Sequence, residues 1–386
     1  MTATLSAGSP DLTLPPTPLE VALAAVVERR EEFRALGHVP RDVVDLFKAA
    51  GVYRAATPRR FGGDALPPAE FLGVVERIAT ADGSAGWVAS FGSAQVYLAA
   101  LPLETQAELF ADGPDLCFAG GLFPIQPATP TERGFLVEGR WKWASGCMGA
   151  DVLGVGIPGD PSTEGKPRTA LLRPDQVEIV QDWDVVGMAG TGSYDVVVRG
   201  VEVPRERTFI RGGQPTVDEP LYRYPALAYA AQVLAVVGLG IGRAALDWAR
   251  EVGGGGTGAT GAPKLADRAY FRTAVAEAEA RLRGARAFFY EAAEEAYATV
   301  LDGDPVTDEQ NALLRLSATH AARAGSEAVR AVFDISGTNA IYSDHPLQPL
   351  VRDSMVPTQH AFLGPAMYDA AGAVLMGLPA TVPAFR

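Results

Sequence analysis

A chain of 386 residues with 48% apolar and 20% charged side chains can build a large core over two or three domains. Its 33 lysine and arginine residues against 46 aspartate and glutamate residues give a net charge of −13. This acidity argues against nucleic acid and against anionic membranes as partners, because both are held by lysine and arginine side chains.

The small number of cysteine and histidine residues limits which disulfide and metal sites the chain can form. Cys117 and Cys147 are too few for a disulfide framework or a cysteine-rich zinc site. The 4 histidines are far apart in sequence, and none has the spacing of a metal-binding motif, so we expect no metal site. Residues 1–17 have neither the basic nor the apolar region of a signal peptide, so we expect a flexible arm on a cytoplasmic protein.

Residues 18–115 are predicted to form an N-terminal helical domain. Apolar residues recur at helical spacing in LEVALAAVVERREEFRALG, and PRDVVDLFKAAGV begins with proline and stops at glycine. Two more helical patterns lie on either side of Asp82-Gly83.

Residues 116–212 are predicted to form a central β domain, either a barrel or a sandwich, because short apolar runs alternate with turn residues. In the segment GRWKWASG, Trp141 and Trp143 are two residues apart, and we expect them on the same face of a strand. Two interpretations of this segment stay open. It is either a strand that packs its aromatic side chains, or a ring-binding site with a flat wall beside the hydroxyl of Ser145.

Residues 213–386 are predicted to form a C-terminal helical bundle, with long helical patterns over residues 224–253, 264–300 and 307–334. The glycine-rich run at residues 253–262 is predicted to be a flexible loop between the first two. The first pattern is apolar, but it is short for a membrane span and contains Gln232, so a buried helix is the preferred interpretation.

Two features of this region have competing interpretations. Gly238, Gly240 and Gly242 resemble a dinucleotide-binding loop, but no strand-turn-helix unit surrounds them, so close helix packing is favoured. His360 leads into an apolar run and is either a core histidine or a functional one.

The order of helices, strands and helices predicts an α+β fold without parallel βαβ units. Five segments in this order resemble the acyl-CoA dehydrogenase superfamily over residues 20–380. They are RFGG, DGSAGWV, GRWKWASGCMGADVL, DWDVVGMAGTGSYDVVV and NAIYSDHPLQPLVRD. The resemblance implies an N-terminal helical domain, a central β domain and a C-terminal four-helix bundle. It also implies a homotetramer that binds flavin at subunit contacts.

One departure from the dehydrogenases concerns the catalytic base, which their Tyr-Glu-Gly-Thr motif carries shortly after an Arg-Asp pair. Counted from Arg352-Asp353, the base position is Ala361, which cannot accept a proton. A histidine at position 360 is instead similar to the two-component flavin-dependent monooxygenases of this superfamily. Their oxygenase components take reduced flavin from a separate NAD(P)H-dependent reductase and react it with O2 to a C4a-hydroperoxide.

This resemblance implies roles for individual residues. Ser145 occupies the place of a hydroxyl that bonds flavin N5, and Trp143 would pack on the flavin ring. Gly120 and Gly121 would let the backbone approach that ring. His360 would act as the base that deprotonates a phenol or as a substrate anchor.

The phosphate-binding segments of the dehydrogenases are only partly present. The segment before the long helix at residues 264–300 does not match, and the Gly337-Thr338-Asn339 turn retains part of the other pyrophosphate loop. The flavin is therefore expected to be loosely held FADH2 or to be FMNH2.

The prediction from sequence is thus a monooxygenase that uses reduced flavin and O2 to hydroxylate an aromatic or polyketide-type molecule. Three alternatives remain: an N-oxygenase acting on an amine, an FAD-dependent acyl-CoA dehydrogenase or oxidase, and a non-catalytic binding protein with this fold.

Overall fold

The computed structural model describes residues 15–253, 264–382 and 385. Of the predicted N-terminal arm, only residues 15–17 are described, and residues 254–262 of the predicted glycine-rich loop lie outside the described ranges. The first helix begins immediately after Thr17, whose hydroxyl accepts a hydrogen bond from the Glu20 backbone N–H at 3.3 Å. The Glu20 carboxylate accepts the Thr17 backbone N–H in return at 2.7 Å, so a capping box fixes the start of the helix.

The N-terminal region is helical, as predicted. Its helices are α1 (Pro18–Leu36), α2 (Arg41–Ala49), α3 (Pro68–Ala81), α4 (Gly83–Ser90), α5 (Gln95–Leu98) and α6 (Leu103–Leu109). The second pattern after Asp82 is not one continuous helix, because a 3-10 turn at Phe91–Ser93 separates α4 from α5. Gly92 in that turn packs so closely on the Val52 carbonyl that a Cβ there would overlap it.

The central region is a sandwich. Its strands are β1 (Phe118–Gly121), β2 (Ala128–Pro130), β3 (Gly134–Ala144), β4 (Val152–Ile157), β5 (Arg168–Leu172), β6 (Glu178–Val180), β7 (Tyr194–Pro204) and β8 (Thr208–Phe209). In the described part of the chain they form two four-stranded sheets, β1-β4-β5-β8 and β2-β3-β7-β6, and no strand pairing joins the sheets into a closed barrel. The barrel alternative is therefore wrong. Trp141 on β3 is fully buried between the sheets, and its Nε1–H donates to the Gly156 carbonyl on β4 at 2.7 Å.

The expectation that Trp141 and Trp143 share one face of a strand is also wrong. The pairing of β3 with β7 shifts register between Trp141 and Ala144. Trp143 has a left-handed backbone, with φ of 63°, and its side chain is 58% exposed, whereas Trp141 is fully buried. This bulge turns the indole of Trp143 out of the core at the point where the strand runs into Ser145.

The C-terminal region is built around long helices that match the predicted ones within a few residues. Its helices are α7 (Pro220–Arg223), α8 (Ala226–Gly253), α9 (Ala269–Leu301), α10 (Asp308–Ile335), α11 (Leu347–Met355) and α12 (Ala366–Leu375). Helix α8 is long and apolar enough to cross a membrane, but 83% of its apolar window is buried inside the protein, which confirms the interpretation as a core helix. Helices α11 and α12 pack along α10 and complete the bundle.

Small residues let α8 approach its neighbours closely, as predicted for the three glycines. A Cβ added at Gly238 would lie 3.0 Å from the Ala322 Cα on α10, and one at Gly242 would lie 3.0 Å from the Gly325 Cα. On the other side of α8, a Cβ at Gly240 would lie 2.6 Å from that of Ala79 on α3. These glycines serve helix packing, and no strand-turn-helix unit surrounds them.

We expect the Gly325→Ala substitution to destabilise the protein by about 1–3 kcal/mol, because the new Cβ would overlap the Gly238 carbonyl and push α8 and α10 apart. The matched control is Gly284→Ala on α9, where nothing lies within 4 Å of the added Cβ. Removing a glycine from that helix interior should stabilise the protein by about 0.5–1 kcal/mol. Urea unfolding of the two variants measures both effects, and equal midpoints would contradict the packing account.

Candidate active site

Ser145 belongs to a buried cluster of hydroxyl groups at the end of β3. Its Oγ lies 2.6 Å from the Oγ of Ser193, which in turn lies 2.7 Å from the Oγ1 of Thr191. The Thr191 hydroxyl donates to the Met188 carbonyl at 2.8 Å. The three hydroxyl-bearing residues are each less than a tenth exposed.

The hydrogen bonds of this cluster run in one direction, because each hydroxyl has a single proton to donate. The single proton of Thr191 is used on the Met188 carbonyl, so Ser193 donates to Thr191, and Ser145 donates to Ser193. The Ser145 oxygen also accepts the indole N–H of Trp87 at 3.2 Å. A hydroxyl oxygen has two lone pairs, so Ser145 retains one acceptor position for a further N–H donor.

Trp87 on α4 connects the hydroxyl cluster to His360. Its side chain is buried, and its ring centroid lies 6.0 Å from that of His360, with the ring planes inclined by 63°. The structure therefore brings together Ser145 and His360, two of the predicted site residues, on one indole that comes from the N-terminal region. Sequence reasoning placed Trp87 only within a family motif and assigned it no role.

His360 is held as a neutral imidazole. Its Nδ1 accepts the backbone N–H of Phe362 at 3.2 Å, so the neutral ring carries its proton on Nε2. Nε2 has no hydrogen-bond partner among the described residues. Burial, reinforced by the positive charges of Arg211 and Arg315, lowers the pKa of His360 to about 4.

Two arginines contact the ring of Phe362 in this turn. The Cζ of Arg211 is 5.2 Å from the ring centroid of Phe362, and the Cζ of Arg315 is 4.9 Å from it. Arg315 on α10 is fully buried, and burial lowers its pKa to about 10. Its guanidinium donates to the Leu227 carbonyl at 2.9 Å and contacts the sulfur of Met367.

A buried carboxylate on α11 fixes the loop that carries the hydroxyl cluster. The Oδ1 of Asp353 accepts the backbone N–H of Met188 at 2.6 Å, and Met188 has a left-handed backbone with φ of 55°. Burial, together with the negative charge of Asp82, raises the pKa of Asp353 to about 7. Asp353 thus links the C-terminal region to Thr191 through the Met188 carbonyl.

Two further groups of predicted residues are the glycines of β1 and the turn at residues 337–339. Gly120 and Gly121 are in β1, where added Cβ atoms would meet Phe118 and the carbonyl of Lys142 at 3.1 Å. Close packing in the sheet therefore already explains why both positions are glycine. Gly337 has φ of 74° and precedes the turn Thr338–Ile341 after α10. Within the described ranges, no hydrogen bond or ring contact joins the residues 337–339 to Ser145 or His360.

The side chains around Ser145 fit the ring edge of a reduced flavin. That ring carries an N5–H donor and a large apolar face, and Ser145 has an acceptor position to spare. The exposed indole of Trp143 lies two residues away, and the half-exposed Phe123 pairs with the adjacent Lys142. These two aromatic side chains offer the apolar surface that such a ring requires.

Comparison with known proteins assigns the family. Residues 232–365 match the model of the family described as "Acyl-CoA dehydrogenase, C-terminal domain". The chain is 54% identical to indole-3-acetate monooxygenase of Pseudomonas putida, over 90% of each chain. It is 29% identical to the oxygenase component of FADH(2)-dependent resorcinol hydroxylase of Rhizobium sp. (strain MTP-10005), over 87% of each chain.

A solved structure shows the same fold over nearly the whole chain. The crystal structure of 3-HSA hydroxylase from Rhodococcus sp. RHA1 superposes with a TM-score of 0.87 at 26% identity, covering 96% of this chain and 98% of that one. The resemblance on which the sequence prediction depended is thereby confirmed, as is the use of reduced flavin and O2. The chain belongs to the flavin-dependent monooxygenases that have the acyl-CoA dehydrogenase fold.

Proposed function

We propose that this protein is the oxygenase component of a two-component system, and that it inserts one oxygen atom of O2 into an aromatic acid such as indole-3-acetate. The observation that carries the proposal is the position of Trp87 between two polar groups. Its N–H bonds Ser145, and its ring edge lies against His360. An acceptor for the flavin ring and a donor for the substrate thus belong to two residues that contact the same indole.

Reduced flavin, when bound, would supply the two electrons that reduce O2, so that one oxygen atom enters the substrate and the other leaves as water. Ser145 accepts the N5–H of the ring in its spare acceptor position. Ser193 and Thr191 hold the Ser145 proton away from that position. Trp143 would pack on the face of the ring, and the backbone at Gly120 and Gly121 would lie beside it.

His360 anchors the substrate through its Nε2–H. A base at Nε2 would need the proton on Nδ1, where it would face the Phe362 N–H, so the hydrogen bond at 3.2 Å opposes that tautomer. The low pKa keeps the ring uncharged at neutral pH. Of the two roles that the sequence left open, the anchor is therefore the one that this geometry favours.

The substrate class is inferred from the relative of 54% identity, which is named an indole-3-acetate monooxygenase. Trp87 and Phe362 supply aromatic walls for such a ring. We propose that a separate NAD(P)H-dependent reductase delivers the flavin. Gly337, Thr338 and Asn339 would contact the phosphates of the flavin. A homotetramer would cover exposed apolar side chains such as Tyr342, which is 63% exposed.

The test is oxygen labelling without a reductase. The purified protein is given chemically reduced FAD or FMN, indole-3-acetate and ¹⁸O₂. We expect one ¹⁸O atom in the product, and no product when oxidised flavin replaces reduced flavin. Oxygen derived from water, or oxidation by bound FAD with an artificial electron acceptor and no O2, would contradict the proposal and favour the dehydrogenase alternative.

A further inference from the structure

The site contains positive charge that no described carboxylate neutralises. Arg315 is the one arginine or lysine among the described residues that is buried, and its side chain is 0% exposed. No carboxylate of the described chain lies within 4 Å of Arg315 or of Arg211. By contrast, Arg243, which is also well covered, pairs with Glu279 at 2.8 Å and with Asp247 at 2.9 Å.

The partners of Arg315 leave part of its guanidinium unused. One terminal nitrogen donates to the Leu227 carbonyl, and the other contacts the sulfur of Met367, which is a weak acceptor. The buried Nε–H has no partner. A buried charge with incomplete hydrogen bonding is costly to the folded protein unless a counter-charge is supplied.

Both arginines face the proposed substrate position. Their Cζ atoms lie 5.2 and 4.9 Å from the centroid of the Phe362 ring, and the backbone N–H of Phe362 is bonded to His360. The charges of Arg211 and Arg315 both act on the His360 imidazole. The two guanidinium groups and the imidazole, whose ring centroid is 5.2 Å from that of Phe362, therefore all lie around this one phenyl ring.

We propose that Arg315 and Arg211 bind the carboxylate of the aromatic acid substrate and select that acid over its uncharged analogues. The inference rests on the proposed function, because it places the substrate beside His360. A guanidinium presents parallel N–H groups that match a carboxylate, and such a charge-assisted pair is strong where water is excluded. Leu227 and Met367 hold Arg315 in place, so its side chain loses little conformational entropy when the carboxylate binds.

The experiment measures binding in the absence of O2, so that no turnover occurs. The protein is saturated with reduced flavin, and the dissociation constants of indole-3-acetate and indole-3-acetamide are measured by equilibrium dialysis. The amide has the shape of the acid but no charge. We expect the protein to bind the acid at least about tenfold more tightly than the amide.

Two variants test the arginines. Arg315→Met keeps about the volume of the buried side chain. Arg211→Gln changes a half-buried side chain and is used if Arg315→Met does not fold. We expect Arg315→Met to weaken acid binding by about 30-fold or more and amide binding by less than about threefold. Arg211→Gln should have a smaller effect in the same direction. The control is Arg330→Gln on the same helix, which is exposed and pairs with Asp334, and it should leave both constants unchanged.

Two sets of results separate this inference from the proposed function. Equal weakening of acid and amide in Arg315→Met, or a wild-type protein that binds the two equally or binds neither, would overturn the inference. A protein that prefers the acid through these arginines but incorporates no ¹⁸O into it supports the inference and contradicts the proposed reaction. Weaker binding of the flavin alone in Arg315→Met, with acid binding unchanged, would assign the charge to the flavin and overturn the inference.

Discussion

Ser145→Ala is expected to divert reduced flavin from product to hydrogen peroxide. Without the hydroxyl, the N5–H of the ring loses its acceptor, and Trp87 and Ser193 lose the partner that they hold at 3.2 and 2.6 Å. We expect the product formed per reduced flavin to fall about tenfold to 100-fold, while flavin oxidation by O2 continues. Parallel assays of product and hydrogen peroxide measure this coupling.

Two control variants separate the site from general effects of losing a buried hydroxyl. Ser145→Thr keeps the oxygen and should retain most of the coupling. Ser93→Ala removes another buried hydroxyl, which donates to the Ser90 carbonyl at 2.9 Å outside the site, and should leave coupling unchanged. Unaltered coupling in Ser145→Ala would show that the flavin ring does not bind at this hydroxyl.

His360→Ala is expected to reduce kcat/KM for the substrate by about 100-fold or more, because the substrate loses a donor in a water-poor site. His360→Gln places an amide N–H near the position of Nε2 and should recover part of the loss. His360→Asn places its amide near Nδ1, so it should recover little. Steady-state kinetics of the three variants measures these differences, and equal activity of the Gln and Asn variants would contradict the anchor role.

The pH dependence tests the same assignment. The pKa of His360 is lowered to about 4, so the imidazole stays neutral from about pH 5.5 upward, and kcat/KM should show no titration of this group between pH 5.5 and 8. Activity should fall only as the pH approaches 4, where a proton on Nδ1 would face the Phe362 N–H and break the hydrogen bond that orients the ring. A loss of activity with a midpoint near 6.5 that disappears in His360→Gln would indicate a base with an ordinary pKa.

The fold could be predicted from sequence where local spacing determines it. Helices α8, α9 and α10 begin and end within about five residues of the predicted bounds, because their apolar residues recur at helical spacing over many turns. Ser145 and His360 could be singled out because Ser145 lies within a family motif and His360 is at a fixed distance from another, and their roles stay predictions. Their contact through Trp87 could not, since it joins three regions of the chain that are far apart in sequence.

Two features of the site were not predicted from sequence, one because periodicity does not contain it and the other although a signal was present. The bulge in β3 that exposes Trp143 is set by its pairing with β7, and the sequence GRWKWASG alternates as a regular strand would. Arg315 was missed, although a signal was present. It lies on the buried stripe of α10 with Ala312, Leu314 and Ala318, where apolar packing does not explain an arginine.

We expect this chain to use one reduced flavin for each oxygenation at the site formed by Ser145, Trp87 and His360. The most direct test is a single turnover in which the protein, loaded anaerobically with a known amount of reduced flavin and excess indole-3-acetate, is mixed with O2. We expect nearly one product per flavin and little hydrogen peroxide. One hydrogen peroxide per flavin with no product, or product in the absence of reduced flavin, would contradict it.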